Sequence, residues 1–369
     1  MAKADVKYYI DGTDFATYGV YVQSSDGVVC KPAMKDLLSD DWKFAHGTVY
    51  DLSSVYYKEA TLQLKCFIDA NGFNDYITKA NNFLGKFADS QEHTLTVWAG
   101  TTSSHTSIAF SVLCKDSVDI EKAWEPGEFV GTFTLKLTVP HPVRPSGSWS
   151  TSTPSTADTV SYFLDEHNFI GYGVYVQGSS GITTIPKIKD PLTYNWGTAD
   201  GLDYHQDGVR YKERNIQLKC IIEADTFPDL LNKALTFFSL LVKNRTLRLR
   251  IMAGNKVLVY EVICKDEVRL IPDFSHQNKC VGTFTLRLIE PEPVKRVLYG
   301  SGTCTITIKS KSPVNIYWGD GTHTFGVSGN DVSQSVSHSV SSNYVIITGE
   351  PNDFTSFTSN FTTVWNRLL

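Results

Sequence analysis

The string YKEATLQLKC at Tyr57 to Cys66 returns as YKERNIQLKC at Tyr211 to Cys220, and YGVYVQ at Tyr18 to Gln23 returns unchanged at Tyr172 to Gln177. Both recur at a displacement of 154 residues (211 − 57 and 172 − 18), and the same register carries Trp42, Gly47 and Tyr50 onto Trp196, Gly201 and Tyr204. A fixed displacement held without a gap means that one folding unit occurs twice, so any fold assigned to one half must serve the other. Farther along, VLCKD at Val112 to Asp116 matches VICKD at Val262 to Asp266, and VGTFTLKL at Val130 to Leu137 matches VGTFTLRL at Val281 to Leu288. There the displacement is 150 and then 151. The change falls around Gly100 to Ser107, a Thr/Ser-rich stretch that reads as a hairpin tip, where length differences are tolerated.

The repeat divides the chain into residues 1–142, a first β domain; 143–159, a linker; 160–298, the second β domain; and 299–369, a smaller unrelated β domain. The linker lies within PHPVRPSGSWSTSTPSTADT, rich in Pro, Ser and Thr. Residues 1–150 hold 13 basic against 18 acidic residues and residues 151–299 hold 18 against 17, so the copies have diverged in surface while keeping core and turns.

Within each copy the strand signal is alternation. Phe133, Leu135 and Leu137 alternate with Thr and Lys, as Phe284, Leu286 and Leu288 do with Thr and Arg. Period two with β-branched neighbours predicts a half-buried strand. Leu62, Leu64 and Cys66, with Leu218 and Cys220, predict another, and Leu247, Leu249 and Ile251 a third that turns Arg248 and Arg250 outward. One helix per copy follows. In the second, Thr226 caps the first turn, Pro228 sits where a missing N–H costs little, and Leu230, Leu231, Ala234, Leu235, Phe238 and Leu241 form an apolar stripe. The first repeats it with Phe73, Ile77, Ala80, Phe83, Leu84 and Phe87. The predicted class is mainly β: two tandem barrel or sandwich domains, each carrying one helix. In the last region Asp320-Gly321 marks a tight turn, and Ile316 and Trp318 face opposite to Asn315 and Tyr317.

Chemistry is conspicuous by its motifs' absence. No H-E-x-x-H, G-x-S-x-G, G-x-x-x-x-G-K or strand-anchored G-x-G-x-x-G occurs. The repeated Tyr57-Lys58-Glu59 and Tyr211-Lys212-Glu213 offer an acid and a base. Adjacent strand residues point to opposite faces, however, so a buried Tyr beside a charged edge is the expectation. His46 falls on Asp200, which reads as a solvated turn. Trp42 and Trp196 read as core or loop anchors. Seven scattered cysteines give no zinc spacing and no complete disulfide framework; Cys66 with Cys114, and Cys220 with Cys264, read as small buried hydrophobes. The formal charge of −5 gives no basic footprint for nucleic acid, and no apolar run reaches membrane-spanning length. The expectation is a non-enzyme without catalytic, cofactor or metal residues and without membrane insertion.

The order G-V-Y-V (Gly19 to Val22), Trp42, Gly47, Tyr50, Tyr57 and Leu62 to Cys66, repeated at Gly173 to Val176, Trp196, Gly201, Tyr204, Tyr211 and Ile216 to Cys220, resembles the N-terminal domain of distal tail proteins of long-tailed bacteriophages. That fold is related to the tail tube protein. The resemblance implies a ring that continues the tail tube into the tail tip or baseplate. Its partners would be further copies of itself, the tail tube and the tail hub, with DNA only as passing cargo. It also implies a virion component assembled in the bacterial host cytoplasm. Having the domain twice departs from the family pattern: side by side the copies imply a trimeric pseudo-hexamer, stacked a hexamer with two rings. Trp318 to Thr322, WGDGT, resembles the turn of immunoglobulin-like PKD domains, which implies a small sandwich outside the ring that contacts the host surface or decorates the particle. Two alternatives are a tail tube protein proper and a tandem glycan-binding module using Trp98, Trp124 or Trp149.

Overall fold

The computed structural model describes residues 5–43, 45–89, 91–101, 104–125, 128–148, 160–190, 193–198, 200–201, 203–204, 209–273, 279–340 and 343–367. The chain is mainly β with two helices, and its first two-thirds repeat one architecture. In the first copy the main strands are β1 (Asp5–Ile10), β2 (Val20–Asp26), β3 (Ala60–Ala70), β4 (His93–Thr101), β5 (Ser104–Val112), β6 (Ile120–Glu125) and β7 (Glu128–Val139), with α1 (Phe73–Leu84) after β3. In the second they are β8 (Val160–Leu164), β9 (Val174–Ser180), β10 (Arg214–Ala224), β11 (Leu247–Ala253), β12 (Lys256–Val262), β13 (Ile271–Asp273) and β14 (Cys280–Glu290), with α2 (Phe227–Leu240) after β10.

Each copy is a pair of open four-stranded sheets, a sandwich rather than a closed barrel. One sheet runs β6-β7-β3-β2 in the first copy and β13-β14-β10-β9 in the second. The other runs from the short strand Thr13–Asp14 through β1-β4-β5, matched by His167–Asn168 through β8-β11-β12. The alternating residues pair across the central ladder: Phe133, Leu135 and Leu137 lie opposite Cys66, Leu64 and Leu62, and Phe284, Leu286 and Leu288 opposite Cys220, Leu218 and Ile216. A bulge interrupts β2 against β3 between Val22 and Ser24, and β9 against β10 between Val176 and Gly178. The register is thus copied down to its irregularity.

Local signals explain the turns. Asp14 accepts from the Ala16 N–H and Asn168 from the Ile170 N–H, each capping one short helical turn that ends on a glycine at φ 68°, Gly19 or Gly173. Thr226 accepts from the Asp229 N–H to cap α2, whereas α1 starts at Gly72 with no side-chain cap. Inside each sandwich the same aromatic pair meets edge to face at 4.9 Å, Phe15 on Phe83 and Phe169 on Phe237.

The remaining residues form a two-sheet sandwich. Strands β15 (Lys295–Tyr299), β16 (Gly302–Ser310), β17 (Val314–Tyr317), β18 (His323–Val327), β19 (Val332–Val340), β20 (Tyr344–Thr348), β21 (Phe354–Ser359) and β22 (Thr362–Arg367) pair as β18-β17-β20-β15-β22 and β19-β16-β21. Ile316 and Trp318 enter its core, and Asp320 accepts from the Thr322 N–H to close the turn. Tyr317 and Asn315 face the other way, but not into solvent. Tyr317 packs with Val259, Val297 and Ile346, because this sandwich is laid on the outer face of β12.

That contact corrects the expectation for Arg248. It leaves the core side of β11 as expected, yet it is only 2% exposed because the C-terminal sandwich covers it. Its guanidinium pairs with Glu261 at 2.6 Å and donates to the carbonyls of Tyr344 and Tyr317 at 2.6 and 3.3 Å. Nearby, Glu290 is buried between Lys295 and Arg214, and Lys295 also donates to the Val259 carbonyl at 2.7 Å. Burial pulls the Lys295 ammonium down to about 8 although Glu290 opposes it. A buried charge stripped of its partner costs roughly 3–5 kcal/mol. Arg248→Ala, which strands Glu261 and two carbonyls, is therefore expected to lower unfolding free energy by about that amount in chemical denaturation.

Candidate functional site

An extensive polar and apolar construction outside the sandwich cores is the joint between the two copies. Three parts of the sequence make it, and all run one way: the first copy offers a sheet edge and an arm, the second a helix, a short strand and a lysine.

The helix contributes the apolar part. Phe227 and Leu231 of α2, 7% and 3% exposed, share one core with Val29 and Ala99 of the first copy, and Val6, Val28 and Ile108 pack against it. A gap of only about 20 Å³ is left among Val6, Val28, Val29, Phe227, Leu231 and Leu270. Thr106 donates to Asn232 at 3.2 Å on the same surface. Just before the undescribed part of the linker, Gly147 lies so close to α2 that a Cβ would stand 2.5 Å from Thr236 Oγ1.

The second part is backbone pairing. Cys30 and Lys31 pair antiparallel with Arg269 and Val268, and the Leu270 and Met34 N–H groups donate to the carbonyls of Val29 and Lys265 at 2.9 and 2.8 Å. Lys31 is fully buried and donates to the carbonyls of Cys264 at 2.6 Å and Asp266 at 3.0 Å. Burial holds its pKa below the ordinary lysine value. At the rim Arg269 pairs with Asp26 at 2.8 Å.

The third part is an arm, residues 38–53, thrown from the first copy across the second. The Gly47 N–H donates to the Tyr211 carbonyl at 2.8 Å and the Thr48 N–H to the Pro291 carbonyl at 3.0 Å. Lys189, 6% exposed, grips the arm by donating to the carbonyls of Trp42 at 2.9 Å and Gly47 at 2.6 Å, and pairs with Asp41. The Tyr50 hydroxyl donates to Glu213, and the Lys265 ammonium stands 4.6 Å above the Tyr50 ring. Gly47 has φ 69°, and a Cβ there would lie 1.9 Å from the Pro291 carbonyl oxygen.

Several residues singled out from sequence take other roles here. His46 is not a solvated turn: it is 9% exposed, accepts from the Tyr211 N–H at 3.2 Å through Nδ1 and meets Glu350 of the C-terminal sandwich at 3.0 Å through Nε2. Two bonds of that polarity fix the neutral ring with its proton on Nε2. Trp42 and Trp196 are not core, at 66% and 57% exposed, because the arm carries them away from their own sandwich, but the Trp196 ring does anchor its loop. Trp196 donates to Asp203 at 2.7 Å and stacks on Tyr194. Tyr57 is buried as expected, while Lys58 pairs with Asp36 and Glu59 with Lys115, so that triplet does not converge on one point. The helix stripe of α1 is only partly used: Ala80, Phe83 and Phe87 are buried but Phe73 and Ile77 are 50% and 37% exposed. All seven cysteines are free, with Cys66, Cys220, Cys264 and Cys304 buried. Trp98 is half-buried, stacked on His105 with Lys7 at 5.9 Å. The Trp124 side chain and Trp149 lie outside the described residues. Among the described residues no group of His, Cys, Asp and Glu is arranged to hold a metal, and no helix is long and apolar enough to cross a membrane.

No family model and no curated protein matches the chain. Among solved structures it is similar to the crystal structure of the Dit protein of SPP1, described as a paradigm of the hub adsorption apparatus in phages infecting Gram-positive hosts. The match has 11% sequence identity and a TM-score of 0.29, and it covers 52% of this chain and 99% of that one.

The geometry of the arm makes two expectations. Gly201, the counterpart of Gly47, has φ 87° but, among the described residues, nothing within 4 Å of its Cβ position. Gly201→Ala should cost about 1–2 kcal/mol from the left-handed backbone alone. Gly47→Ala carries that strain plus a collision with Pro291, and urea denaturation in dilute solution should show a clearly larger loss.

The second concerns pH. Burial, followed by the positive charges of Arg210 and Lys189, holds the His46 pKa below its ordinary value although Glu350 opposes this. A base depressed in the folded state stabilises fully above its unfolded value of about 6.5 and loses that contribution as pH falls through the lower folded value. The thermal-stability advantage of the wild type over His46→Asn should therefore be present at about pH 7.5 and shrink by about pH 5.

Proposed function

We propose that this chain is a structural protein of a bacteriophage tail, a distal-tail or baseplate hub component that self-assembles into a ring between tail tube and tail tip and lets DNA pass. The observation that carries the proposal is the joint itself. Two versions of one unit pack head to tail, with different surfaces used on each, and contacts of that kind close rings or propagate filaments. Three residues of the family resemblance take part in that joint, which supports this reading. Gly47 and Tyr50 make the joint, and Tyr211 receives it.

A ring component works by filling positions, and its chemistry is that of contact surfaces rather than turnover. The C-terminal sandwich lies on the outer face of the second copy's sheet, a place from which it can reach a host surface or decorate the particle. The partners in this reading are further copies of the chain, the tail tube and the tail hub; the location is the virion.

Size-exclusion chromatography with light scattering, followed by negative-stain microscopy of the purified chain at micromolar concentrations, tests self-assembly. Rings several chains in mass are expected. A population that stays monomeric across that range, and that also fails to appear in purified phage particles by mass spectrometry, would end this reading.

A further inference from the structure

The joint uses the sheet edge and arm of the first copy and the helix, strand and lysine of the second. The complementary set is left over: the second copy's edge and arm, and the first copy's helix, strand and lysine. We infer that these leftovers are the contact between chains, so that the second copy of one chain receives the first copy of the next in the geometry already built within a chain. This inference rests on reading the chain as a self-assembling unit, and names the surfaces by which it does so.

The leftover surfaces match position by position. Phe227 and Leu231, buried in the joint, correspond to Phe73 and Ile77, which α1 holds out at 50% and 37% exposure. The edge that receives them, Val6, Val28, Ala99 and Ile108, corresponds to Val160, Ile182, Ala253 and Leu258. Ala99 is fully buried where Ala253 is exposed, and Val160 is 40% exposed. All four positions have stayed apolar, although Val160 and Ala253 are exposed and Ile182 and Leu258 are only partly buried against their own core. Monomers gain nothing by keeping such a patch, whereas a buried contact does.

The polar parts correspond as well. Cys30 and Lys31 pair with Arg269 and Val268; among the described residues their counterparts Thr184 and Ile185 have no strand partners, nor does Val118 in the first copy. Lys189 grips the carbonyls of Trp42 and Gly47; its counterpart Lys35 is exposed, and the arm it would grip presents Trp196 and Gly201. That no described residue stands over Gly201, set against the collision that guards Gly47, fits an arm whose landing surface belongs to another chain. Several polar positions do not carry over: Asp41 becomes Asn195, the rim pair of Arg269 and Asp26 becomes Asp119 and Ser180, and two further changes bear on strength. Lys31 becomes Ile185 and His46 becomes Asp200. The second change follows from topology, because His46 pairs with Glu350 and no C-terminal sandwich follows the first copy. The first removes a buried cationic grip, which makes the joint between chains the weaker of the two.

A cysteine pair reads the geometry directly. Thr106 and Asn232 touch within the chain at 3.2 Å, and their counterparts are Lys256 and Thr78. Thr106→Cys with Asn232→Cys is the control and should close inside one chain, leaving the mass on non-reducing gels unchanged. Lys256→Cys with Thr78→Cys, both on exposed positions, should link chain to chain and give a reducible ladder that the wild type does not give. Ile77→Asp, also exposed and so expected to fold normally by circular dichroism, should weaken assembly about tenfold or more.

A ladder reaching beyond two chains, lost in Ile77→Asp, supports the contact; a product that stops at two overturns it, since a head-to-tail contact leaves both ends unsatisfied. Oligomers that form but resist this cross-link while the control closes would overturn the contact and leave self-assembly standing. Absence of any oligomer would overturn both.

Discussion

Docking of α2 on the neighbouring sandwich is the constraint around which the rest of the molecule is arranged. A helix laid on a β sandwich has an inner stripe for its own core and an outer one that must be buried elsewhere or left wet. In α2 the outer stripe is Phe227 and Leu231, and burying two large side chains of this kind contributes on the order of 3–6 kcal/mol. That term sets the relative position of the copies, and the other contacts fit themselves to it. The short antiparallel pairing, the buried ammonium of Lys31 and the arm over Tyr211 all become possible only once the helix is seated. None of them would hold two domains together alone, because each orders backbone or long side chains at an entropic cost comparable to its gain.

Much of the fold was legible in the amino-acid sequence, and the physical reason is periodicity. Alternation at Phe133, Leu135 and Leu137 determines which face of β7 is buried, and the same residues at Phe284, Leu286 and Leu288 do so in the second copy. A helix announced by Thr226 and Pro228 starts where those residues cap it. Local patterns report on local burial. They are silent on what a second domain later covers, which is why Arg248 reads as an outward-facing arginine and is found sealed beneath the C-terminal sandwich.

The joint was the least legible part for the same reason. His46 against Asp200 looks like drift at a solvated turn, because the partner that makes sense of it, Glu350, lies some 300 residues away in sequence, 304 by position. Trp42 and Trp196 look like core or loop anchors since large aromatics usually are; here the backbone of the first arm makes the contacts with the second copy, both rings stay exposed, and Trp196 ties down only its own loop. One signal was available. Phe73 and Ile77 stand in the same stripe as Phe227 and Leu231, and a duplicated helix whose copies see different surroundings is the sequence-level trace of a head-to-tail contact.

The C-terminal sandwich lies on the second copy, through Arg248, Glu261, Val259 and Tyr317, and touches the first copy only at its arm, where Glu350 meets His46. The matching face of the first copy carries Thr94, Thr96 and Trp98 and, among the described residues, holds no such passenger. In any array built from this chain, appendages therefore recur at every second domain rather than at every one. Fusion doubles their spacing without altering the unit that bears them, and leaves a vacant face between each neighbouring pair.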